Sequence, residues 1–284
     1  MVNDKKEYPI IGRSTCALCA GRENYTLLYK STLRRASHSD FNRDTFSARR
    51  MPDETHGTIV KCKKCGLVRT LELIDSCYIS SLYKESAFTY KDILNNLILT
   101  YRDIVTHALR HIVSKASFLE IGCGNGFMLS DVMTLGFKNV SGVEPSINAI
   151  SFAEEHIKPL IKNTIIKDNI FPAASFDVIA GFQVFDHIQD PNEFLSICYK
   201  LLRSKGILIL MNHDVNSFSA KIFKSRSPIY DIEHPYLYGK YTMCNILEKN
   251  GFDIVDYYSP ASYFSLRYIA RLLPFPEKLK INII

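Results

Sequence analysis

Three sets of residues in this chain have the types and spacing to do chemistry. The first is Phe118-Leu119-Glu120-Ile121-Gly122-Cys123-Gly124-Asn125-Gly126. It reads as an apolar strand with an acid near its end, then a Gly-x-Gly-x-Gly turn that opens a helix. Glycines there let backbone approach a ligand closely and take positive φ. The helix behind them would aim free N–H groups at that ligand. Such a turn alone fits many nucleotide-binding folds. Here Val140-Ser141-Gly142-Val143-Glu144-Pro145 follows, a second strand ending in an acid 22 positions after Gly122. An acid at about that spacing can hold ribose hydroxyls.

The second set is Cys16-x-x-Cys19 and Cys62-x-x-Cys65-Gly66. Each pair puts two thiolates on one knuckle, and two knuckles complete a tetrahedron. The N-terminus, Met-Val-Asn-Asp-Lys-Lys-Glu, has no apolar stretch of the kind that marks a secretion signal. The reading is therefore cytoplasmic, where disulfides are the poorer explanation. A structural Zn2+ held by Cys16, Cys19, Cys62 and Cys65 is expected; iron suits the same four ligands. Lys63 and Lys64 would offset part of the thiolate charge. Cys77, Cys123, Cys198 and Cys244 read as small buried thiols.

The third set is histidines, the usual bases near neutral pH. His187 stands after an apolar strand, at the edge where ligands bind in open α/β sheets. His234 lies in Tyr230-Asp231-Ile232-Glu233-His234-Pro235-Tyr236-Leu237-Tyr238. His213 beside Asp214 is a weaker candidate. His107 and His111 share a helix face with no third ligand, so a solvated face is expected. A structural, hydrogen-bonded role is open for His187, and a loop-anchoring role for His234.

The elements that must position these residues follow from periodicity. Residues 1–70 read as a metal module, with 30–58 an inserted loop, and 71–115 as a connector and helix. Apolar residues at Ile93, Leu94, Leu97, Ile98, Tyr101, Ile104, Val105 and Leu109 give helical spacing over Lys91–Ser114. From Phe118, strands and helices alternate, which predicts a mostly parallel, doubly wound sheet across 116–260. Strands are expected at Asn163–Ile166, Ser175–Ala180, Ile207–Leu210 and Phe252–Tyr258. Asp190-Pro191 starts a helix, Ser217–Lys224 is a short helix in a substrate-side loop, and Lys240–Asn250 is a helix stopped by Gly251. The tail, 261–284, alternates basic and apolar residues and fits a covering helix or a membrane-surface helix.

Composition sets the outer limits. The chain has 284 residues, 46% of them hydrophobic, enough for a substantial core. No window approaches the ~20 apolar residues needed to span a bilayer. Residues 1–70 carry 14 Lys/Arg against 7 Asp/Glu, and the remainder 21 against 22, so the net +6 belongs to the N-terminal part. That excess suits a phosphate-bearing substrate or RNA, or is a solvated surface.

Taken in order, these motifs resemble a class I S-adenosylmethionine-dependent methyltransferase. Ser175-Phe176-Asp177-Val178-Ile179-Ala180 is similar to its fourth strand, and Gln183-Val184-Phe185-Asp186-His187-Ile188 to the stretch that follows. Leu201-Leu202-Arg203-Ser204-Lys205-Gly206-Ile207-Leu208 resembles the approach to its fifth strand. The resemblance implies a Rossmann-like, doubly wound, seven-stranded sheet beside a zinc-ribbon-like module. It places Glu120, Gly122, Cys123, Gly124 and Gly126 around the methionine end of S-adenosylmethionine and Glu144-Pro145 at the ribose. Asp168 and Asn169 would flank the adenine, and Gln183 would lie near the sulfonium. Many methyltransferases of this group have a histidine at the place of His187.

The Tyr230–Tyr238 stretch resembles the acceptor region of zinc-containing sugar methyltransferases. It implies His234 as base, with Glu233 and Tyr230 beside it, and a small sugar or nucleotide-sugar acceptor. The alternative is an RNA methyltransferase that docks RNA on the basic module. Gly181-Phe182-Gln183-Val184 stands where an Asp/Asn-Pro-Pro-aromatic motif would be, which argues against amino-group methylation of nucleobases.

Overall fold

The computed structural model describes residues 10–33, 43–47, 54–265 and 269. Most of the inserted loop and of the C-terminal tail read from the sequence lies outside them. The N-terminal part is built from β1 (Ile10–Arg13), β2 (Tyr25–Tyr29), β3 (Ile59–Cys62), β4 (Val68–Thr70) and β5 (Glu72–Ile74). Helices α1 (Ser76–Glu85) and α2 (Leu94–Ala108) lead into the second part, with short 3-10 turns on either side of α2. There the order is β6 (Ser117–Ile121), α3 (Phe127–Thr134), β7 (Asn139–Val143), α4 (Ile147–Ser151) and β8 (Ile161–Lys162). It continues through β9 (Phe176–Phe182), α5 (Pro191–Leu201), β10 (Leu202–Met211), α6 (Phe218–Phe223), β11 (Tyr236–Leu237) and α7 (Lys240–Lys249).

The main sheet runs β10-β9-β6-β7-β8, with every pairing parallel. Alternation along the strands splits its two faces. Phe118 and Val178 face α2 and α3, against Leu97, Tyr101, Met128 and Leu129. Leu119 and Ile179 face α5 and α7, against Phe194, Leu195 and Ile246. Both faces are covered, as parallel sheets require. Helix α5 starts as its sequence predicts: Asp190 accepts the N–H groups of Asn192 and Glu193, with Pro191 in the first turn.

The described sheet has five strands where seven were expected. The third strand is shorter and earlier than expected, Ile161–Lys162 rather than Asn163–Ile166. Phe252–Tyr258 forms no strand. Its alternating pattern is used for side-chain anchoring instead. Asp256 accepts hydrogen bonds from His107 (2.7 Å) and Arg110 (2.8 Å), and the Tyr258 ring stacks on His107. The His107 face is thus occupied by Asp256 rather than left to solvent.

A second sheet, β11-β4-β3-β2, is antiparallel throughout. Three of its strands come from the cysteine-bearing segment and the fourth, Tyr236–Leu237, from the far end of the chain. Cys16, Cys62 and Leu67 share one buried cluster with Leu119, Phe194 and Ile246. The N-terminal segment therefore packs on the same core as α5 and α7.

At the amino ends of the parallel strands, Asp177 ties three of them together. Its carboxylate accepts the Ser117 N–H (2.8 Å) and hydroxyl (3.0 Å) and Arg203 Nη1 (3.0 Å). Burial alone would raise its pKa, but these donors hold it below the ordinary carboxylate range. Asp177→Ala is expected to cost about 2 kcal/mol in urea unfolding, because it strips a buried N–H and a hydroxyl of their acceptor. A depressed pKa means the stabilisation is present above the unfolded value near 3.9 and lost as pH falls through the folded one. The gap between wild type and variant should therefore shrink in acid; a constant gap would contradict the assignment.

Candidate active site

The glycine turn sits at the carboxyl end of β6, in the centre of the sheet. Gly122, Gly124 and Gly126 all have positive φ (70°, 56° and 71°), so the sequence pattern is used as backbone geometry. Side chains crowd the turn. A Cβ on Gly122 would lie 2.6 Å from Val184 Cγ2, and one on Gly124 would overlap the Tyr90 hydroxyl. Tyr90 is buried over the turn, and its hydroxyl accepts a hydrogen bond from the Asn125 backbone.

Two acids meet here. Glu144 accepts the Gly124 N–H (2.8 Å) and the Ser146 N–H (2.8 Å), so the second strand end is bonded directly to the turn. Glu120 is 2% exposed, and its Oε2 is buried with no hydrogen-bond partner. Burial, and then the Glu144 charge, push the Glu120 carboxyl well above its ordinary pKa. Burial also raises Glu144, against the pull of its two backbone donors.

An orphaned carboxylate oxygen beside left-handed glycines fits a ligand that carries donors and positive charge. Cys123 is buried in the turn, and Pro145 accepts from Asn163. Gln183 holds a positive φ at the end of β9, its N–H bonded to Met211. Asp168 and Asn169 lie in the loop between β8 and β9. Asp168 pairs with Lys200 at 3.1 Å on an exposed surface, and no hydrogen bond among the described residues joins either one to the acids of the turn.

A second cluster forms where the chain leaves β9 and β10. The 3-10 turn Phe185–His187 presents Asp186 and His187, and the loop after Met211 presents His213. His234 comes from the segment before β11. The His187 and His213 rings lie 4.7 Å and 5.1 Å from that of His234, centroid to centroid. Asp186 is fully buried among them and accepts from His213 Nδ1 at 2.7 Å. Burial would raise its pKa. The hydrogen bond from His213 outweighs that and holds the carboxylate ionised.

His234 Nδ1 bonds the Ile229 carbonyl at 2.8 Å, which puts its proton on Nδ1 and its lone pair on Nε2. Tyr83 joins the group through its hydroxyl, 3.0 Å from His187 Nδ1, and Glu233 lies 3.8 Å from the same nitrogen. A cavity lined by Phe46, Tyr83, His187, Ile232, Glu233 and Tyr236 opens beside them.

Of the expected catalytic set, His187, Glu233 and His234 thus come together. Tyr230 does not join them. Its ring packs edge-on against Tyr29 at 4.9 Å, in a core with Ile59, Val68 and Leu237. The turn Ser227–Tyr230 buries it there. Asp186 and Tyr83 carry no motif that marks them. The only available signal was Asp186 directly before His187, a pair of titratable groups at a strand end.

The four cysteines meet as their spacing requires. Cys16, Cys19, Cys62 and Cys65 place their sulfurs within 4.8 Å of one another, and no disulfide joins them. Hydrogen bonds from the Cys65 and Lys64 backbone overcome burial and lower Cys62 to about 7. Lys63 and Lys64 are exposed, so the buried cation is another residue, Arg69, 1% exposed. It donates to Ser14 (3.0 Å) and to the Arg22 carbonyl (3.0 Å) just past the Cys19 knuckle. Among the described residues, no carboxylate forms an ion pair with it.

The family described as "Methyltransferase domain" matches residues 94–257, more than half of the chain. A ubiquinone biosynthesis O-methyltransferase from Rhodopseudomonas palustris is 31% identical over 111 residues, 37% of this chain and 43% of that protein. The mitochondrial ubiquinone biosynthesis O-methyltransferase of Saccharomyces cerevisiae is 32% identical over 118 residues, 38% of each chain. The chain thus spans less than half the length of these relatives. A solved S-adenosylmethionine-dependent methyltransferase from Thermotoga maritima is similar at 18% identity, with a TM-score of 0.47, over 58% of this chain and 75% of that one.

Gly124→Ala tests the turn. A side chain there would meet Tyr90 and force an L-residue into the left-handed region, at about 1–2 kcal/mol for the backbone alone. S-adenosylmethionine affinity, read by calorimetry, should fall at least about tenfold. Unchanged affinity would show that the turn does not shape the cofactor site.

Proposed function

This chain belongs to the methyltransferase domain family, and from that premise we propose that it methylates a hydroxyl of a small, sugar-containing acceptor. S-adenosylmethionine, when bound, supplies an electrophilic methyl group on a sulfonium. Glu120, Glu144, the backbone of the glycine turn and Gln183 are the residues that would hold it. The observation that carries the reading is the buried Asp186 with three imidazoles at the carboxyl edge of β9 and β10, next to Val184, which lies over Gly122. Methyl transfer is an in-line displacement, and holding the acceptor oxygen in line supplies much of the rate.

The acceptor hydroxyl must lose its proton as the new C–O bond forms. His213 has the geometry for that task. Asp186 holds its Nδ1, so its Nε2 is the basic nitrogen, and its side chain is about one-third exposed. His234, on which the sequence pattern centred, is 6% exposed and bonded to the backbone, and it stands with Glu233 and His187 as the wall of the acceptor site. The sugar class rests on the resemblance of Tyr230–Tyr238 and of the double cysteine knuckle. The ubiquinone relatives share only the likeness to a small hydroxyl-bearing acceptor.

In the cysteine cluster, four sulfurs within 4.8 Å of one another fit a tetrathiolate site, for which we propose a structural Zn2+. All four positions are filled by protein, so the ion holds the module together and has no place for substrate. Stripping it with a strong chelator should lower Tm by roughly 10 °C or more. An unchanged melting curve would argue against a metal there.

The function is tested with methyl-labelled S-adenosylmethionine and a cell extract split into RNA and small-molecule fractions. Label in the nucleotide-sugar fraction is expected; label in RNA would replace this reading with RNA methylation. With the acceptor in hand, His213→Ala should lower kcat by about 10²–10⁴ while leaving cofactor affinity unchanged. Undiminished turnover would remove His213 as the proton acceptor.

A further inference from the structure

The Asp186 carboxylate holds an oxygen that the proton acceptor does not use. Oδ2 is taken by His213; Oδ1 is buried and has no hydrogen-bond partner. His187 Nε2 faces Oδ1 at 3.9 Å, too far for a hydrogen bond. That separation suits two ligands of one ion, since metal–nitrogen and metal–oxygen bonds are each about 2.0–2.2 Å. One ligand atom each from Asp186, His187 and His234 can be chosen so that all three lie within 4.8 Å of one another.

The hydrogen bonds around these groups have the form that metal ligands need. His234 donates Nδ1–H to the Ile229 carbonyl, which leaves Nε2 as the ligand nitrogen. His187 Nδ1 is engaged by the Tyr83 hydroxyl, so its Nε2 is directed to Asp186. His213 fixes the other oxygen of Asp186. Each of the three candidate ligands is thus oriented by a second residue on its far side.

We propose that Asp186, His187 and His234 hold a divalent transition-metal ion, with a coordination position left open for the acceptor oxygen. Two imidazoles and one carboxylate suit Zn2+, Fe2+ or Mn2+ rather than Ca2+ or Mg2+. Toward the acceptor, the ion would bind the reacting oxygen and acidify its proton, which His213 then takes. That role rests on the methyltransfer reading; the binding of the ion does not.

The test uses the full chain and Mn2+, which a four-thiolate site does not select. Bound and free Mn2+ are counted by electron paramagnetic resonance. The wild type should bind one Mn2+, displaced by Zn2+. Asp186→Asn and His187→Ala should bind none at the concentration that saturates the wild type, while His213→Gln still binds one. Retained S-adenosylmethionine binding shows that each variant is folded; if Asp186→Asn loses it, His187→Ala decides. No Mn2+ on the wild type, or one on a folded His187→Ala, overturns the proposal and leaves a buried water as the bridge between Oδ1 and Nε2. Mn2+ bound without methyl transfer to any acceptor would sink the methyltransfer reading and leave the metal site standing.

Discussion

The acceptor side of this protein depends on a two-residue strand pairing. Tyr236 and Leu237 pair antiparallel with Arg69 and Val68, and the Pro235 carbonyl accepts the Thr70 N–H at 3.0 Å. Thr70 also donates its hydroxyl to the His234 carbonyl. Glu233 and His234 are therefore hung from the strand that leaves the second cysteine knuckle. The glycine turn belongs to the parallel sheet, where the turn and the strand ends build it. The two halves of the site thus come from different sheets, and β11 is the segment that brings them into register.

Charge is managed differently in each half. At the turn two acids are buried: burial raises both carboxyls, and the Glu144 charge raises Glu120 further. That state suits a cationic ligand that would relieve it. In the histidine cluster the balance is reversed: the buried Asp186, bonded to His213 and close to two further imidazoles, stays ionised. The cysteine cluster shows a third arrangement: four sulfurs meet, and the buried guanidinium of Arg69 on β4 donates to the Arg22 carbonyl just past the Cys19 knuckle. At the turn and in the histidine cluster a buried charge is kept next to the group that neutralises it, or next to where that group would bind.

What the sequence made legible followed from local rules. The glycine turn, Glu144 and the Asp190-Pro191 helix start each depend on a few neighbouring residues, and each takes the expected form. The cysteine pairs were legible because two short spacings have few other uses. Long-range choices were not legible. Nothing local says that Tyr236–Leu237 would pair with β4, or that Phe252–Tyr258, though alternating, would anchor through Asp256 and Tyr258 rather than by a ladder. Tyr230 looked like a partner of His234 because it is close in sequence, but a turn carries its ring into the core against Tyr29. Asp186 and Tyr83 matter through neighbours far away in the chain; Asp186 has only its place before His187 to mark it, and the surroundings of Tyr83 give no sign.

Hydrogen exchange on a Cys62→Ser variant tests the central claim, that the histidine site is suspended from the cysteine module, most directly. If β11 depends on β4, amides of 230–238 will lose protection together with those of 59–70, while Phe118–Ile121 in the parallel sheet keep theirs. Loss confined to 59–70, with 230–238 as protected as in the wild type, would show that the acceptor side is held by the methyltransferase core alone and would contradict this account.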